Sequence, residues 1–589
     1  MALVNGKLLL GDAFADKVEG LPYHLWREDG EQAGEDLAEH LDLPRLAVAG
    51  VDREAAVTLG RRNGCPGVER RLRAEIGEVL ATPGASAETE ALAGLLAERA
   101  GDRGTASTRY AEALRRGADP VPVDRHLRRL LLAAGRRKEA LAFLRGSVPP
   151  EVISDPRNVR RETWIALDRA AARVPDGPAS AVPQDALADL AEALVAVGAL
   201  EDAVALLPAG GTPRTRALAA RLAAEVRFER AFREVVEEGY RAPASGKTPP
   251  SLDALLARLR ALAREHLPAE EQAAFEATQG RRSVPFLGTW LDHGTDTTSP
   301  LVARFRRLGK YLMLGQREGS PPEGILLSIA SLTRAQAIPT QGLVLSHDVA
   351  VGYDREIRAF VDFQGGSLSG AALPDGVWLD ADASRREDHQ VRLILRAEPA
   401  FLARVVAAGR EPPAPDGPDG PFAMDDPNGL ASRLALRYAR RAGDDRWGSF
   451  HVLRAHEFGH VLDLDRHLPM LEKLPSTTAL LASEGFAFAR VEARLEGRAQ
   501  LASLRDGRDP DLALLDLVRS LPSVERVPEA HERGYRSVTE AMVRWLHAHA
   551  DRFPSVDPTK KLLPQLDRLT PEEIRTIGHG VAAQGWTVR

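Results

Sequence analysis

The period of the apolar pattern changes in mid-chain, and that change limits the folds open to this sequence. From about Glu88 to residue 278, apolar side chains recur at helical spacing in Ala- and Leu-rich runs. The runs Tyr311 to Leu314, Gly324 to Ala330, Gly342 to Ser346, Ile357 to Phe363 and Val391 to Leu395 then read as short strands divided by Gly, Pro and Asp. Ser320-Pro321-Pro322-Glu323-Gly324 reads as a hairpin loop between the first two. From Ser449 onward helical spacing returns. The expectation is a multidomain chain, with an all-α, repeat-like N-terminal half followed by an α+β domain.

The helical half carries an internal offset. Gly101, Ala106, Tyr110 and Ala113 recur in kind as Gly135, Ala140 and Leu144, 34 residues on, and Gly198 with Ala203 opens a third unit after 63 more. Paired helices at this period, with a small residue where they touch, resemble tetratricopeptide repeats. A non-repeating bundle is the other reading, and both make residues 86–241 all-α. Residues 1–85 are poorly determined, since the apolar runs Leu8 to Leu10 and Leu43 to Val51 are interrupted by Pro and Gly. The Pro- and Gly-rich stretch Ala242 to Pro250 marks a boundary. Residues 242–280 therefore read as linker and helices, and 281–589 as a second domain, β-rich over 305–400 and helical over 497–589.

Charge and cysteine content remove several functions. A net charge of −6 gives no basic field for nucleic acid. The single cysteine, Cys65, excludes an internal disulfide and a cysteine-rich metal site. No apolar run reaches the length of a membrane span, and the first residues lack the apolar stretch of a signal peptide. A soluble chain is expected, cytoplasmic if the N-terminus is native and secreted or periplasmic if a leader has been removed.

Within a segment of helical pattern, Arg454 to Asp463 contains a His-Glu-x-x-His pentapeptide. At about 3.6 residues per turn His456 and His460 share a face, where both imidazoles can reach one Zn²⁺ about 2 Å away. Glu457 stands beside them to activate water. Asp463 falls within about 60° of both histidines, while Phe458, Val461 and Leu462 fall on the far side and should pack. Ser449, after Gly448, is the expected N-cap.

Such a site needs a third ligand. If Leu480 to Val491 is one helix, Leu480, Leu481, Ala487, Phe488, Val491 and Leu495 form an apolar stripe with Glu484 in its middle. A buried carboxylate requires a cation or a set of donors, and zinc held by the two histidines is the expected partner. Arg490, Glu492, Arg494 and Glu496 lie off that stripe and read as solvated charges. Asp463 is the rival ligand. So close behind His460 the helix hinders joint coordination, and Asp463 reads instead as an acceptor for a ligand's ring N–H. His451 and His467 read as surface or packing residues.

His456-Glu457-Phe458-Gly459-His460, followed 24 residues after His460 by Glu484 in Ser483-Glu484-Gly485-Phe486-Ala487, resembles the gluzincin metallopeptidases. The Glu-Gly-x-Ala form is similar to that of bacterial peptidase-MA-like members. The resemblance covers roughly the last 200 residues at most. It implies a zincin-type domain with active-site helices over 449–496 and one Zn²⁺ per chain. The ion would be held by His456, His460 and Glu484, with Glu457 as general base and acid. It also implies a sheet just before the motif helix, whose edge strand pairs with an extended peptide. Arg410 to Asp425 would be an exposed loop beside that cleft. Gluzincins often supply a tyrosine or histidine after the glutamate helix. Here Tyr535, just before the capping box Ser537-Val538-Thr539-Glu540, would emerge at a helix N-terminus and is the candidate.

The expected function is zinc-dependent hydrolysis of peptide bonds in a peptide or protein substrate, with the helical repeats binding substrate or a protein partner. The alternative is a non-catalytic peptide- or protein-binding scaffold with a degenerate zincin fold.

Overall fold

Gly101, Gly135 and Gly198 each follow a helix with φ of 79°, 79° and 93°. Five residues beyond each, Ala106, Ala140 and Ala203 are fully buried. A left-handed residue reverses the chain and a small one lets the next helix close on its neighbour, which is the physical content of the sequence offset. Gly94 shows how tight the fit is, because a Cβ there would lie 2.4 Å from the Tyr110 ring.

The structure, a computed structural model, describes residues 87–584 apart from 209, 242–247, 278–281, 285–287, 293–299, 317–321, 334–335, 339–342, 346–347, 358–368, 374–375, 398, 411–426, 444, 468–472 and 522–529. The expectations for residues 1–85, Cys65, residues 242–247 of the linker and 411–425 of the long loop lie outside the described residues. Among those described the chain is mostly helical with a small mixed sheet. No helix there is long and apolar enough to cross a membrane. Among the described residues the chain divides into two compact units, one within 124–371 with 376–383, the other within 87–123, 372–373 and 384–584.

In the first of these units, helices pack on a seven-stranded sheet. Its strands are β1 (Arg282–Val284), β2 (Gly288–Asp292), β3 (Lys310–Gln316), β4 (Pro322–Thr333), β7 (Asp348–Ile357), β8 (Gly370–Leu373) and β9 (Gly376–Asp380). They follow the order β1-β2-β3-β4-β7-β9-β8, while β5 (Gln336–Ile338) and β6 (Leu343–Leu345) form a separate pair. β3 and β4 pair antiparallel, with Leu314 opposite Gly324, and β7 and β9 run parallel.

Specific polar contacts fix the helices to this sheet. A register shift between Ile329 and Ser331 disturbs the β4–β7 ladder, and the Ala330 carbonyl there accepts the Trp164 indole N–H at 2.8 Å. At the end of Gln184–Ala196, the carbonyls of Val197 and Gly198 accept from Tyr353 Oη (2.6 Å) and Ser328 Oγ (3.0 Å). Arg128 is ion-paired at 2.5 Å to both Asp202 and Asp354. Helices on both sides of the stretch 242–280, from Asp124 onward, share one compact unit with the sheet.

Two further expectations change. Val391–Leu395 is not a strand, since it spans the end of helix Ala381–Arg392 and a 3₁₀ turn, Leu393–Arg396. Nor does the sheet immediately precede the motif helix, because helices Ala381–Arg392, Pro399–Arg410 and Pro427–Ala442 intervene.

The second unit contains the motif helix α1 (Gly448–His467), then α2 (Leu474–Ser483), α3 (Phe488–Asp506), α4 (Pro510–Arg519) and α5 (Ala530–Ala548). Its core includes Leu434, Tyr438, Leu514, Leu517, Met542 and Leu546.

Candidate metal centre

Two glycines bring the helices of this centre together. Gly459, inside the pentapeptide, lies where a Cβ would meet Ala499 Cα of α3 at 2.6 Å. Gly534 of α5 lies where a Cβ would meet the Ala493 carbonyl at 2.2 Å. With no side chain at either point, α3 lies close against both α1 and α5. The residues one turn away on each helix then face one another.

His456 Nε2 and His460 Nε2 stand 3.1 Å apart. Glu496 Oε2 of α3 lies 3.5 Å from the first and 3.4 Å from the second. His531, near the start of α5, puts Nε2 3.0 Å from the same oxygen. Tyr535, one turn further along α5, is buried, with its ring centroid 5.3 Å from that of His531 and 6.4 Å from that of His456. Glu457 is also buried.

Gln500, one turn beyond Glu496, orients His456. Its Nε2 donates to the Ala513 carbonyl at 2.8 Å, so its Oε1 is the atom left to accept from His456 Nδ1 at 3.1 Å. With its proton on Nδ1, the ring presents the Nε2 lone pair to Glu496 and His460.

Electrostatics divide the roles. Burial pushes Glu457 up from the ordinary carboxylate range, against the pull of His460 and His456. Burial would raise Glu496 too, but His460 and His531 beside it hold its carboxyl well below the usual range. Burial would lower His460, yet facing Glu496 raises it to about 9. The Tyr535 phenol is pushed well above its ordinary value by burial and by Glu496, so it remains an O–H donor.

Several sequence expectations are corrected here. Glu484, expected as the third ligand, caps the end of α2, is buried, and pairs with Arg494 at 2.5 Å, while the carboxylate against His456 and His460 is that of Glu496. The chain does not run as one helix from Leu480 to Val491, because Gly485 and Phe486 take φ of 63° and 58° and break it. An apolar stripe counted across that break assigns the wrong phase to α3. Counted within α3, buried Ala493, Gln500 and Ser503 line up with Glu496 at offsets of −3, +4 and +7. Glu496 and Arg494 are thus partners of buried groups rather than solvated charges.

Asp463 is buried, but its Oδ1 faces the Arg498 guanidinium at 2.7 Å, and Gln500 takes the ring contact that Asp463 was expected to make. Ser449 lies inside α1 and is no N-cap; the turn before the helix is closed by Asp445 accepting from the Trp447 N–H at 3.1 Å. Phe458 and Leu462 are only half-buried, so the expected packing face is carried instead by Phe450, Val452 and Val461. Because α5 begins at Ala530, Ser537 and Glu540 sit mid-helix and form no capping box. Glu540 accepts from Arg536 one turn back at 3.1 Å, and Tyr535 enters the centre from the second turn rather than from a helix start.

The donor set fits a tetrahedral zinc ion. Nitrogen and oxygen ligands at about 2.0–2.1 Å lie about 3.3 Å from each other in that geometry, and the three contacts among His456, His460 and Glu496 measure 3.1, 3.4 and 3.5 Å. Glu496 Oε2 is buried and makes no hydrogen bond of good geometry despite these close nitrogens, which suits lone pairs converging on a cation. Comparison with protein-family models, curated proteins and solved structures finds no match.

Proposed function

We propose that this chain is a zinc-dependent hydrolase of peptide bonds, of the gluzincin kind, with His456, His460 and Glu496 as the metal's protein ligands. The observation that carries this reading is the convergence of those three donor atoms at tetrahedral spacing on helices held together at Gly459. Bound there, zinc would supply Lewis acidity toward a carbonyl oxygen and toward water.

The remaining chemistry belongs to the side chains. Glu457, adjacent to His456 and desolvated, accepts the proton of the attacking water and returns it to the leaving amine; burial makes it a stronger base than an exposed carboxylate. Tyr535 retains its proton and offers an O–H donor near the developing negative charge. Gln500 keeps His456 in the tautomer that leaves Nε2 available. The peptide bond as substrate follows from the resemblance of the pentapeptide to gluzincins.

Metal analysis and hydrolysis of a mixed peptide library test the reading together. One zinc per wild-type chain is expected. Glu457→Gln should retain zinc and fold while losing about 10²–10⁴ in turnover. A metal-free wild type, or full turnover in the variant, would refute the assignment.

A further inference from the structure

The chain leaves α2 through a Schellman turn. The Gly485 N–H donates to the Ala482 carbonyl at 3.1 Å and the Phe486 N–H to the Leu481 carbonyl at 2.7 Å. Gly485, with φ of 63°, supplies the left-handed residue that reverses the chain. A hydrophobic residue at the position of Phe486 ordinarily packs back on the last turn of the helix, here on Leu481. Phe486 instead remains 64% exposed. It also takes φ of 58°, a left-handed backbone that a residue with a Cβ adopts only against steric resistance. Packing of the turn explains neither feature, and a bulky apolar side chain held in water on a strained backbone points to a contact made with another molecule.

The turn is tied to the helix that carries the third proposed zinc ligand. Arg494 Nη1 reaches from α3 to Ser483 Oγ at 2.8 Å and to Glu484 Oε1 at 2.5 Å. α3 begins at Phe488, eight residues before Glu496, so at about 1.5 Å per residue the turn stands about 12 Å along α3 from that ligand. An extended peptide advances about 3.3 Å per residue, which makes this distance about four residues of substrate. Ala482, Gly485 and Ala489, on either side of Phe486 in the chain, are exposed as well and add no charge.

Resting on the zinc reading above, we propose that Phe486 is a specificity-determining residue, which receives an apolar side chain of the peptide substrate about four residues from the bond that is cut. A peptide extended along α3 from the centre reaches the turn, and the Arg494 contacts hold the turn in place before substrate arrives.

A peptide library given to the zinc-loaded full-length protein, with cleavage sites read by mass spectrometry, tests this. The wild type should favour Leu, Met or Phe over Ser at one position three to five residues from the scissile bond, by about tenfold in kcat/KM. Phe486→Ser should level that preference through KM, and Phe486→Leu should keep it. All three proteins should cut equally well a peptide that ends before that position. The same preference in Phe486→Ser, or none at that distance in the wild type, would overturn the proposal and leave the zinc reading standing. A wild type that binds no zinc or cuts no peptide would overturn both. An unaltered cleavage profile in Phe486→Ser, with wild-type self-association lost in sedimentation, would overturn it in favour of a contact between copies of this chain. Should Phe486→Ser fail to fold, Phe486→Gly, which suits the left-handed backbone, takes its place.

Discussion

Gln500 holds His456 by a single chain of hydrogen bonds: Ala513 carbonyl to Gln500 Nε2 at 2.8 Å, then Gln500 Oε1 to His456 Nδ1 at 3.1 Å. The backbone carbonyl can only accept, so the amide has one orientation, and the imidazole has one tautomer. Replacing Gln500 by Met keeps the length and removes both polar ends. Metal affinity should fall about 10–100-fold, read by competition with a chromophoric chelator. Stability should fall by about 1–3 kcal/mol, because two buried hydrogen bonds are removed and His456 Nδ1 loses its acceptor. Unchanged metal affinity would mean that the tautomer is set by something other than Gln500.

Glu484 and Glu496 are both shielded carboxylates, and they separate cleanly by partner. Glu496 faces three imidazoles, whereas Glu484 faces Arg494. Glu496→Gln should lose metal. Glu484→Gln should keep it and lower stability by roughly 1–3 kcal/mol, since Arg494 is left partly buried without its counter-charge. Metal content by mass spectrometry and denaturant midpoints on both variants decide the matter. Metal lost from Glu484→Gln but kept in Glu496→Gln would restore the ligand set expected from the pentapeptide's family resemblance.

The difference between these two glutamates shows what the amino-acid sequence reveals and what it hides. His456, Glu457 and His460 lie within one uninterrupted helix, so their relative placement follows from spacing alone. Glu496 is out of reach of that method because a two-residue left-handed turn at Gly485 and Phe486 resets the helical phase. Phe486, a bulky residue at positive φ, carries no sequence sign of the break, whereas Gly485 is a residue type that favours it. Gln500 and His531 depend on helix–helix contacts at Gly459 and Gly534, which no local pattern encodes. In the sheet, β3 and β4 are legible as short apolar runs divided by turn residues. β9 is not, because Val377, Trp378 and Leu379 are all buried and show no alternation. Val391–Leu395 is the converse case, a short apolar run that length and spacing leave ambiguous between strand and helix.

Gly459 sets the distance between α1 and α3, and therefore between the histidines and Glu496. A methyl group there would meet Ala499 Cα at 2.6 Å and Ala502 Cβ at 3.1 Å, and the first of these is backbone that cannot rotate away. Gly459→Ala should cost about 1–3 kcal/mol of stability through overpacking, and the widened helix pair should bind zinc more weakly. Denaturant unfolding and chelator competition measure the two effects. Wild-type zinc affinity in a destabilised variant would show that the donors adjust independently of the helix separation.

Away from the centre, Asp388 gives the fold a pH dependence of defined sign. It is almost fully buried, accepts a hydrogen bond from Tyr438 Oη, and has Arg392 no closer than 3.8 Å. Burial raises its carboxyl from 3.8 to about 6, with the Tyr438 hydrogen bond and Arg392 opposing and Asp445 and Glu387 adding to the rise. Because the folded value lies above the unfolded one, the folded state holds the proton more tightly. The favourable contribution is complete below the unfolded value and is lost as pH rises through the folded one. Asp388→Asn keeps the Oδ1 acceptor for Tyr438 and removes the charge that must be buried at neutral pH. The variant should therefore be more stable than the wild type by about 1–3 kcal/mol near pH 7.5, and closely matched to it near pH 4. Denaturant midpoints across that range provide the check. Parallel stability curves for the two proteins would show that Asp388 has the same proton affinity in the folded and unfolded chain. A variant matched to the wild type near pH 4 but less stable near pH 7.5 would show that the ionised carboxylate, held by Tyr438 and Arg392, is worth more than its burial costs.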